Sequence, residues 1–217
     1  MRRLINSVYE ESQLKKTPIP MRHLDLSSKV VLMNCETRDG NVSYLELIAI
    51  SNLIAAASPK NLLEIGTFDG NTTLQMALNC GSDSLVHTID LSEGSDCSIP
   101  QIDQKFVYDH KKKVKKFHGA ASENKIIQHI GDSTMYDFNK FGPINFCFID
   151  GGHSYACVKS DTEKTLACLI EGGVIVWHDF TPNWTGVYQY LCQLSKELHL
   201  LHIEGTHLVV YEKKSSQ

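Results

Sequence analysis

Leu62-Leu63-Glu64-Ile65-Gly66-Thr67-Phe68-Asp69-Gly70 decides how this chain is read. A short apolar run closes on an acidic residue, and two glycines then bracket three residues before a helical pattern opens at Asn71. In an α/β sheet this is the end of a strand and the turn into the helix behind it. Ligands bind at such carboxyl ends, where the strand order reverses. Glycines in the turn let a ligand come close to the backbone, because no β-carbon stands in the way. The stretch predicts a site for a nucleotide-like cofactor.

What the turn lacks narrows the cofactor. The dinucleotide fingerprint needs glycine at the third and sixth positions after the strand, where this chain has Phe68 and Asn71. A phosphate-cradling loop needs four residues between its glycines and then Lys-Ser/Thr, whereas Gly70 follows Gly66 after three and leads into Asn71-Thr72. Glu64 and Asp69, with no lysine beside them in sequence, would repel a polyphosphate. The turn suits a ligand with a cationic end and ribose hydroxyls.

Outward from the turn, strands alternate with helix-length patterns. Ser43-Tyr44-Leu45-Glu46 reads as a capping box opening an apolar helix that Ser58-Pro59 ends. Strand 61–65, helix 71–80, strand 85–90 and an irregular stretch 91–124 follow. Strands 126–130 and 144–150, a helix 154–170 stopped by Gly172-Gly173, strand 174–178, a helix 185–197 and apolar runs 199–203 and 207–212 complete the chain. This order gives βαβ units and a mainly parallel sheet. Residues 1–42, with the breaker Thr17-Pro18-Ile19-Pro20 and the turn Arg38-Asp39-Gly40-Asn41, read as an N-terminal extension or cap before a domain spanning 43–217.

Later strand ends repeat the logic of the first. Val86-His87-Thr88-Ile89-Asp90 places a carboxylate 20 residues after Gly70, where it can accept from ribose hydroxyls. Gly131-Asp132-Ser133 is a turn after the next strand. Phe146-Cys147-Phe148-Ile149-Asp150-Gly151-Gly152-His153 and Val174-Ile175-Val176-Trp177-His178-Asp179-Phe180 are buried strands ending in acids and histidines. Together with Glu64-Ile65-Gly66-Thr67-Phe68-Asp69-Gly70, these motifs resemble class I S-adenosylmethionine-dependent methyltransferases. The branch they are most similar to is that of small-molecule O-methyltransferases, including the Methyltransf_24 and cephalosporin hydroxylase-like proteins. The resemblance covers about residues 40–212. It implies a Rossmann-like, three-layer α/β/α sandwich with a seven-stranded, mainly parallel sheet. It also implies a cofactor site of Glu64, Gly66, Thr67, Phe68, Gly70, Asp90, Leu91, Asp132, Ser133 and Asp150.

Some relatives in that branch hold a divalent metal after the fourth and fifth strands. Carried over, Asp150, His178 and Asp179 are the candidate ligands, while Phe180 replaces the asparagine of catechol-type relatives. Methyl transfer is an in-line displacement needing an oxygen aimed at the sulfonium carbon. A cation such as Mg²⁺ would lower the pKa of a hydroxyl and hold it in line; a histidine ligand tilts the site toward a transition metal. Without metal, Asp150, His153 and His178 are the candidate catalytic groups, with a histidine as general base. The loop Thr181-Pro182-Asn183-Trp184 could supply an aromatic wall, and Tyr44 could cover the cofactor.

Composition limits the alternatives. With 217 residues, 42% hydrophobic content and a formal charge of −4, the chain fits one globular domain and has no global pull toward nucleic acid or anionic membrane. Seven cysteines without CxxC spacing suit reduced thiols in the cytoplasm, and neither a signal peptide nor a membrane span is legible. The run His110-Lys111-Lys112-Lys113-Val114-Lys115-Lys116 reads as a solvated face or as a docking surface, and with Phe106 and Tyr108 it lies where relatives build a substrate lid. The expected partner is a small-molecule hydroxyl acceptor, and a homo-oligomer is left open. N-methylation of nucleic acid or protein, a related non-methyl chemistry and a non-catalytic cofactor-binding domain remain as alternatives.

Overall fold

The computed structural model describes residues 17–23, 27–37, 40–91 and 114–215. Cys97, Phe106, Tyr108 and His110 to Lys113, with the lid expected there, lie outside the described residues, as does the extreme N-terminus. The strands are β1 (Met21–Arg22), β2 (Asn61–Ile65), β3 (Leu85–Asp90), β4 (Ile126–Ile130), β5 (Ile144–Ile149), β6 (Leu169–Trp177), β7 (Leu201–Ile203) and β8 (Val209–Glu212). They form one sheet in the order β1-β7-β8-β6-β5-β2-β3-β4. Only β8 runs against its neighbours, β6 and β7. The expected seven strands are all present, and the eighth is β1, two residues of the N-terminal segment paired with β7.

The helices are α1 (Tyr44–Ala57), α2 (Asn71–Asn79), α3 (Tyr155–Cys168) and α4 (Thr185–Leu194). Alternate residues of a strand point to opposite faces. Leu63, Ile65, Cys147, Ile149, Ile175 and Trp177 therefore pack on one face with Val158, Val187 and Leu191 of α3 and α4. Leu62, Phe146, Phe148 and Val176 pack on the other with Leu47, Ile50, Ile54 and Met76 of α1 and α2. Burial on both faces explains why the central strands are nearly continuous apolar runs.

The capping box at Ser43 forms: its hydroxyl accepts from Glu46 N, and the Glu46 carboxylate accepts from Ser43 N. Ser58 ends α1 in a left-handed conformation. One boundary differs from the sequence reading. The helix stops at Cys168, and the glycine pair lies inside β6 rather than ending a helix. Gly172 has φ +73°, and the β5–β6 register shifts between Ile144 and Phe146, so the glycines form an irregular strand entry held by Gly172 N donating to Lys213 O at 2.7 Å.

The segment before α1 is stitched to α2. Asn79 and Gln75, one turn apart on one helix face, accept from Val31 N and Met33 N at 2.7 and 3.0 Å, and donate back to the carbonyls of the same two residues. From β2 the chain proceeds to β3 and β4 on one side and to β5 and β6 on the other. The crevice this creates lies at the carboxyl ends of β2 and β5.

Candidate active site and cofactor crevice

Gly66 leaves β2 with φ +100°, donating its N–H to Ile89 O at 2.9 Å. A β-carbon here would lie 2.0 Å from the Asp150 carbonyl oxygen. The turn after β2 and the turn after β5 thus touch backbone to backbone, and only glycine permits it. Phe68 follows with φ 49°, and its N–H donates to Asp90 Oδ2 at 3.2 Å. Leu91 N donates to the other carboxylate oxygen at 2.9 Å. Asp90 is thereby fixed at the end of β3, facing the turn.

Glu64 lies beneath this turn, wholly buried. Its Oε2 accepts from Thr73 and, at 2.6 Å, from Thr88, whose hydroxyl also meets Thr67 Oγ1 at 2.6 Å. Burial pushes its carboxyl up to about 8, against the pull of the two threonine hydroxyls. Glu64 is the neutral underside of the turn. Gly70 packs against the Phe117 ring.

One sequence argument is corrected. No lysine neighbours the turn in sequence, yet two reach it in the fold. Lys115 donates to Phe68 O and lies 3.8 Å from Asp90 Oδ2. Lys116 pairs with Glu36 at 3.1 Å and Asp69 at 3.6 Å. The described end of the basic run is therefore half-buried and ion-paired rather than a solvated or docking face.

After β4, Asp132 Oδ1 accepts from Thr134 N and Oγ1 at 2.8 and 2.7 Å, so its turn is closed on itself. Lys164 clamps it from α3 through Ser133 O at 2.8 Å. Asp161 of the same helix is buried below Ser133; burial pushes its carboxyl up to about 7 while Ser133 and Lys164 pull it back.

The second half of the site forms where β5 and β6 end. Asp150, His153 and Asp179 each offer a ligand atom, and these atoms all lie within 4.8 Å of one another. His153 Nε2 is 2.7 Å from Asp179 Oδ2, and its ring stacks on Trp184 with centroids 4.0 Å apart. Trp184, the aromatic residue of the loop 181–184, is also packed against the core beneath the sheet's ends. Asp179 holds φ 60°, an uncommon left-handed conformation for a side-chain-bearing residue.

His178, the third expected ligand, lies among three carboxylates. Its Nδ1 lies 3.1 Å from Asp150 Oδ1 and 3.3 Å from Asp179 Oδ1, and its Nε2 lies 3.4 Å from Glu46 Oε2. Burial alone would lower its pKa, but Asp150 and Asp179 outweigh burial and hold it well above the ordinary histidine range. Burial would likewise raise Asp179, yet His178 and His153 hold it well below the carboxylate range. Ligand atoms of Asp150, His153 and Asp179 converge, and His178 touches two of the three. Two carboxylates and an imidazole, partly buried, fit a divalent cation. Phe180 points away, buried and stacked on Tyr188 with centroids 5.1 Å apart.

Glu46 is the residue that sequence reasoning missed. Read only as a capping-box partner, it also accepts from His207 N at 2.8 Å and faces His178. Burial would raise its pKa, but His178 and the backbone N–H groups of His207 and Ser43 hold it well below the carboxylate range. It joins α1, the loop between β7 and β8, and the cluster. Beside it opens a cleft of about 590 Å³ lined by Thr37, Asn41, Ser43, Glu46, His178, Asp179, Gly205, Thr206 and His207. Asn41 Nδ2 donates to Asp69 Oδ2 at 3.3 Å, so this cleft borders the cofactor turn.

Comparisons with known proteins agree with this architecture. A family model described as a methyltransferase domain (Methyltransf_24) matches residues 63–180, from β2 to the end of the β6 motif. No curated protein matches the sequence significantly. Among solved structures, the chain is similar to the O-methyltransferase TomG from Streptomyces achromogenes, involved in tomaymycin synthesis and in complex with SAM. The TM-score is 0.60 and the identity 16%, over 82% of this chain and 83% of that one. An O-methyltransferase from Bacillus cereus in complex with SAH gives a TM-score of 0.59 and 18% identity over 82% and 84%. The SAH-bound methyltransferase PaMTH1 from Podospora anserina gives 0.58 and 16% over 82% and 81%. At these identities the likeness is one of fold. Among the described residues, no helix is long and apolar enough to cross a membrane.

Proposed function

Because this chain belongs to the methyltransferase domain family, we propose that it transfers a methyl group from S-adenosylmethionine to a hydroxyl of a small molecule, assisted by a divalent cation. The observation that carries this reading is a contact. Gly66, in the cofactor turn, lies against the Asp150 carbonyl of the acidic cluster, so the two halves of the reaction share one crevice.

S-adenosylmethionine bound along Gly66 to Gly70 would supply a methyl group carried on a sulfonium sulfur. Asp90, already aimed by Phe68 N and Leu91 N, would accept from the ribose hydroxyls, with Lys115 yielding its contact at Phe68 O. Asp132 and Ser133 would border the adenine, and Glu64 would hold the turn from below. A cation held by Asp150, His153 and Asp179 would lower the pKa of the acceptor hydroxyl. His178 keeps both carboxylates oriented through its charged ring. The Asp179 carboxylate, 2.7 Å from His153 Nε2, fixes the orientation of that imidazole, which would receive the acceptor proton when no cation is held.

Residues 1–42 would cap the 43–217 domain, a reading supported by the stitching of Val31 and Met33 to α2.

Calorimetric titration with S-adenosylmethionine and S-adenosylhomocysteine, with and without Mg²⁺ or Mn²⁺ and with NAD as control, tests this. Asp90→Ala should weaken cofactor binding about 10- to 100-fold, the worth of a charge-assisted hydrogen bond. Asp150→Ala should remove the metal response. Binding of NAD in preference to either sulfur ligand would overturn the reading.

A further inference from the structure

The cleft beside Glu46 has a composition unlike most small-molecule sites. Its volume of about 590 Å³ falls within the common range of about 300–1,000 Å³, but such sites are predominantly apolar and aromatic. Here the described lining has no Phe, Tyr, Trp or aliphatic side chain. A flat aromatic acceptor would find little apolar surface to bury against, and would cover polar groups without replacing their water partners, which costs free energy for each group left unpaired. A molecule carrying several hydroxyls would instead replace that water with equivalent hydrogen bonds.

The polar groups are of both kinds. Thr37 offers a hydroxyl, His207 an imidazole and Asn41 an amide whose nitrogen is committed to Asp69. Glu46 and Asp179 are acceptors facing the same space. Two lining groups are already hydrogen-bonded: His207 N donates to Glu46 Oε1 and Thr206 Oγ1 donates to Ile203 O, both at 2.8 Å. These two hydrogen bonds tie the loop between β7 and β8 to α1 and to its own start. The cleft shares His178 and Asp179 with the acidic cluster and reaches the cofactor turn through Asn41, so a hydroxyl bound in it lies beside both.

We infer that this cleft is the acceptor subsite and that the acceptor is a neutral, polyhydroxylated, sugar-like molecule rather than a flat phenol. The inference rests on the methyl-transfer reading above and specifies its substrate class. The reaction it describes balances simply: the acceptor oxygen forms a bond to the methyl carbon, the carbon–sulfur bond breaks with its electron pair going to sulfur, and the hydroxyl proton leaves to a base.

The test is S-adenosylhomocysteine release by the full chain against two acceptor panels, in the presence of Mg²⁺ or Mn²⁺. One panel holds methyl glycosides, inositols and sugar alcohols; the other holds catechol, caffeate and simple phenols. Turnover in the first panel and not the second is expected. The pair Thr37→Val and His207→Leu, which keeps the His207 backbone bond, should raise the acceptor KM about tenfold and leave S-adenosylmethionine affinity unchanged. Turnover confined to phenols, no polyol turnover by protein that binds S-adenosylmethionine, or an unaltered KM in the double variant would overturn this inference alone. Failure to bind S-adenosylmethionine would remove the methyl-transfer reading and the inference with it.

Discussion

Replacing Glu64 by glutamine should stabilise the protein at neutral pH, although the residue lies in the motif that identifies the cofactor turn. The carboxyl is wholly buried with Oε2 held by two threonine hydroxyls, and Oε1 has no hydrogen-bond partner. Its folded pKa is about 8, against an ordinary 4.5. Between those values the native protein keeps a proton that the unfolded chain releases, so stability falls as pH rises from 4.5 to 8 and is level above. At about 1.4 kcal/mol per pH unit, the loss at pH 7 is about 3 kcal/mol relative to a neutral side chain. Glutamine keeps an acceptor for Thr73 and Thr88 and does not titrate, and its amide nitrogen takes the unpartnered position at a cost of about 1 kcal/mol. Urea unfolding of both proteins at pH 4, 5.5, 7 and 8 reads the difference. Glu64→Gln should be about 1 kcal/mol less stable at pH 4 and about 2 kcal/mol more stable at pH 7. For a domain of this size that is a rise of about 4–8 °C in Tm at pH 7. Parallel pH profiles for the two proteins would refute the reasoning, because a carboxyl that ionises normally gives no such divergence.

The remaining predictions concern the joints of the site. Gly66→Ala should cost more than about 3 kcal/mol or prevent folding, since a β-carbon meets the Asp150 carbonyl at a positive φ; thermal melts and soluble yield check it. Glu46→Gln keeps an acceptor for His207 N but removes a charge facing the His178 imidazolium, and should lower Tm by about 3–10 °C, or about 1–3 kcal/mol. Lys116→Met should release the segment around Glu36 from the Asp69 turn, seen as faster amide exchange at residues 34–37.

Much of this fold was legible because its signals are local. Strands 61–65, 85–90 and 126–130 have the bounds their apolar runs predict, and the capping box at Ser43 forms as spelled. Legibility fails where proximity is made by the sheet. Glu46 meets His178 and His207 across 132 and 161 positions of sequence, and no periodic pattern carries that information. Lys115 and Lys116 return to the cofactor turn from beyond β3, so an argument from neighbours in sequence counted no lysine there. His153 and His178 are interchangeable as letters; which ring converges with both Asp150 and Asp179 is a matter of tertiary geometry. The glycine pair at 172–173 reads equally as a helix stop and as a strand irregularity, and pairing with β5 decides it.

Asp179 combines a left-handed backbone with a carboxylate that the cluster needs. Only glycine and asparagine share that backbone readily, and both are one nucleotide away from an aspartate codon. A lineage or a directed-evolution library drifting through this position would therefore yield proteins that fold and keep the cofactor crevice while losing one carboxylate of the converging set. The locus offers a short genetic route from catalyst to binding protein, and sequencing such drift would reveal it as survivors enriched in those two codons.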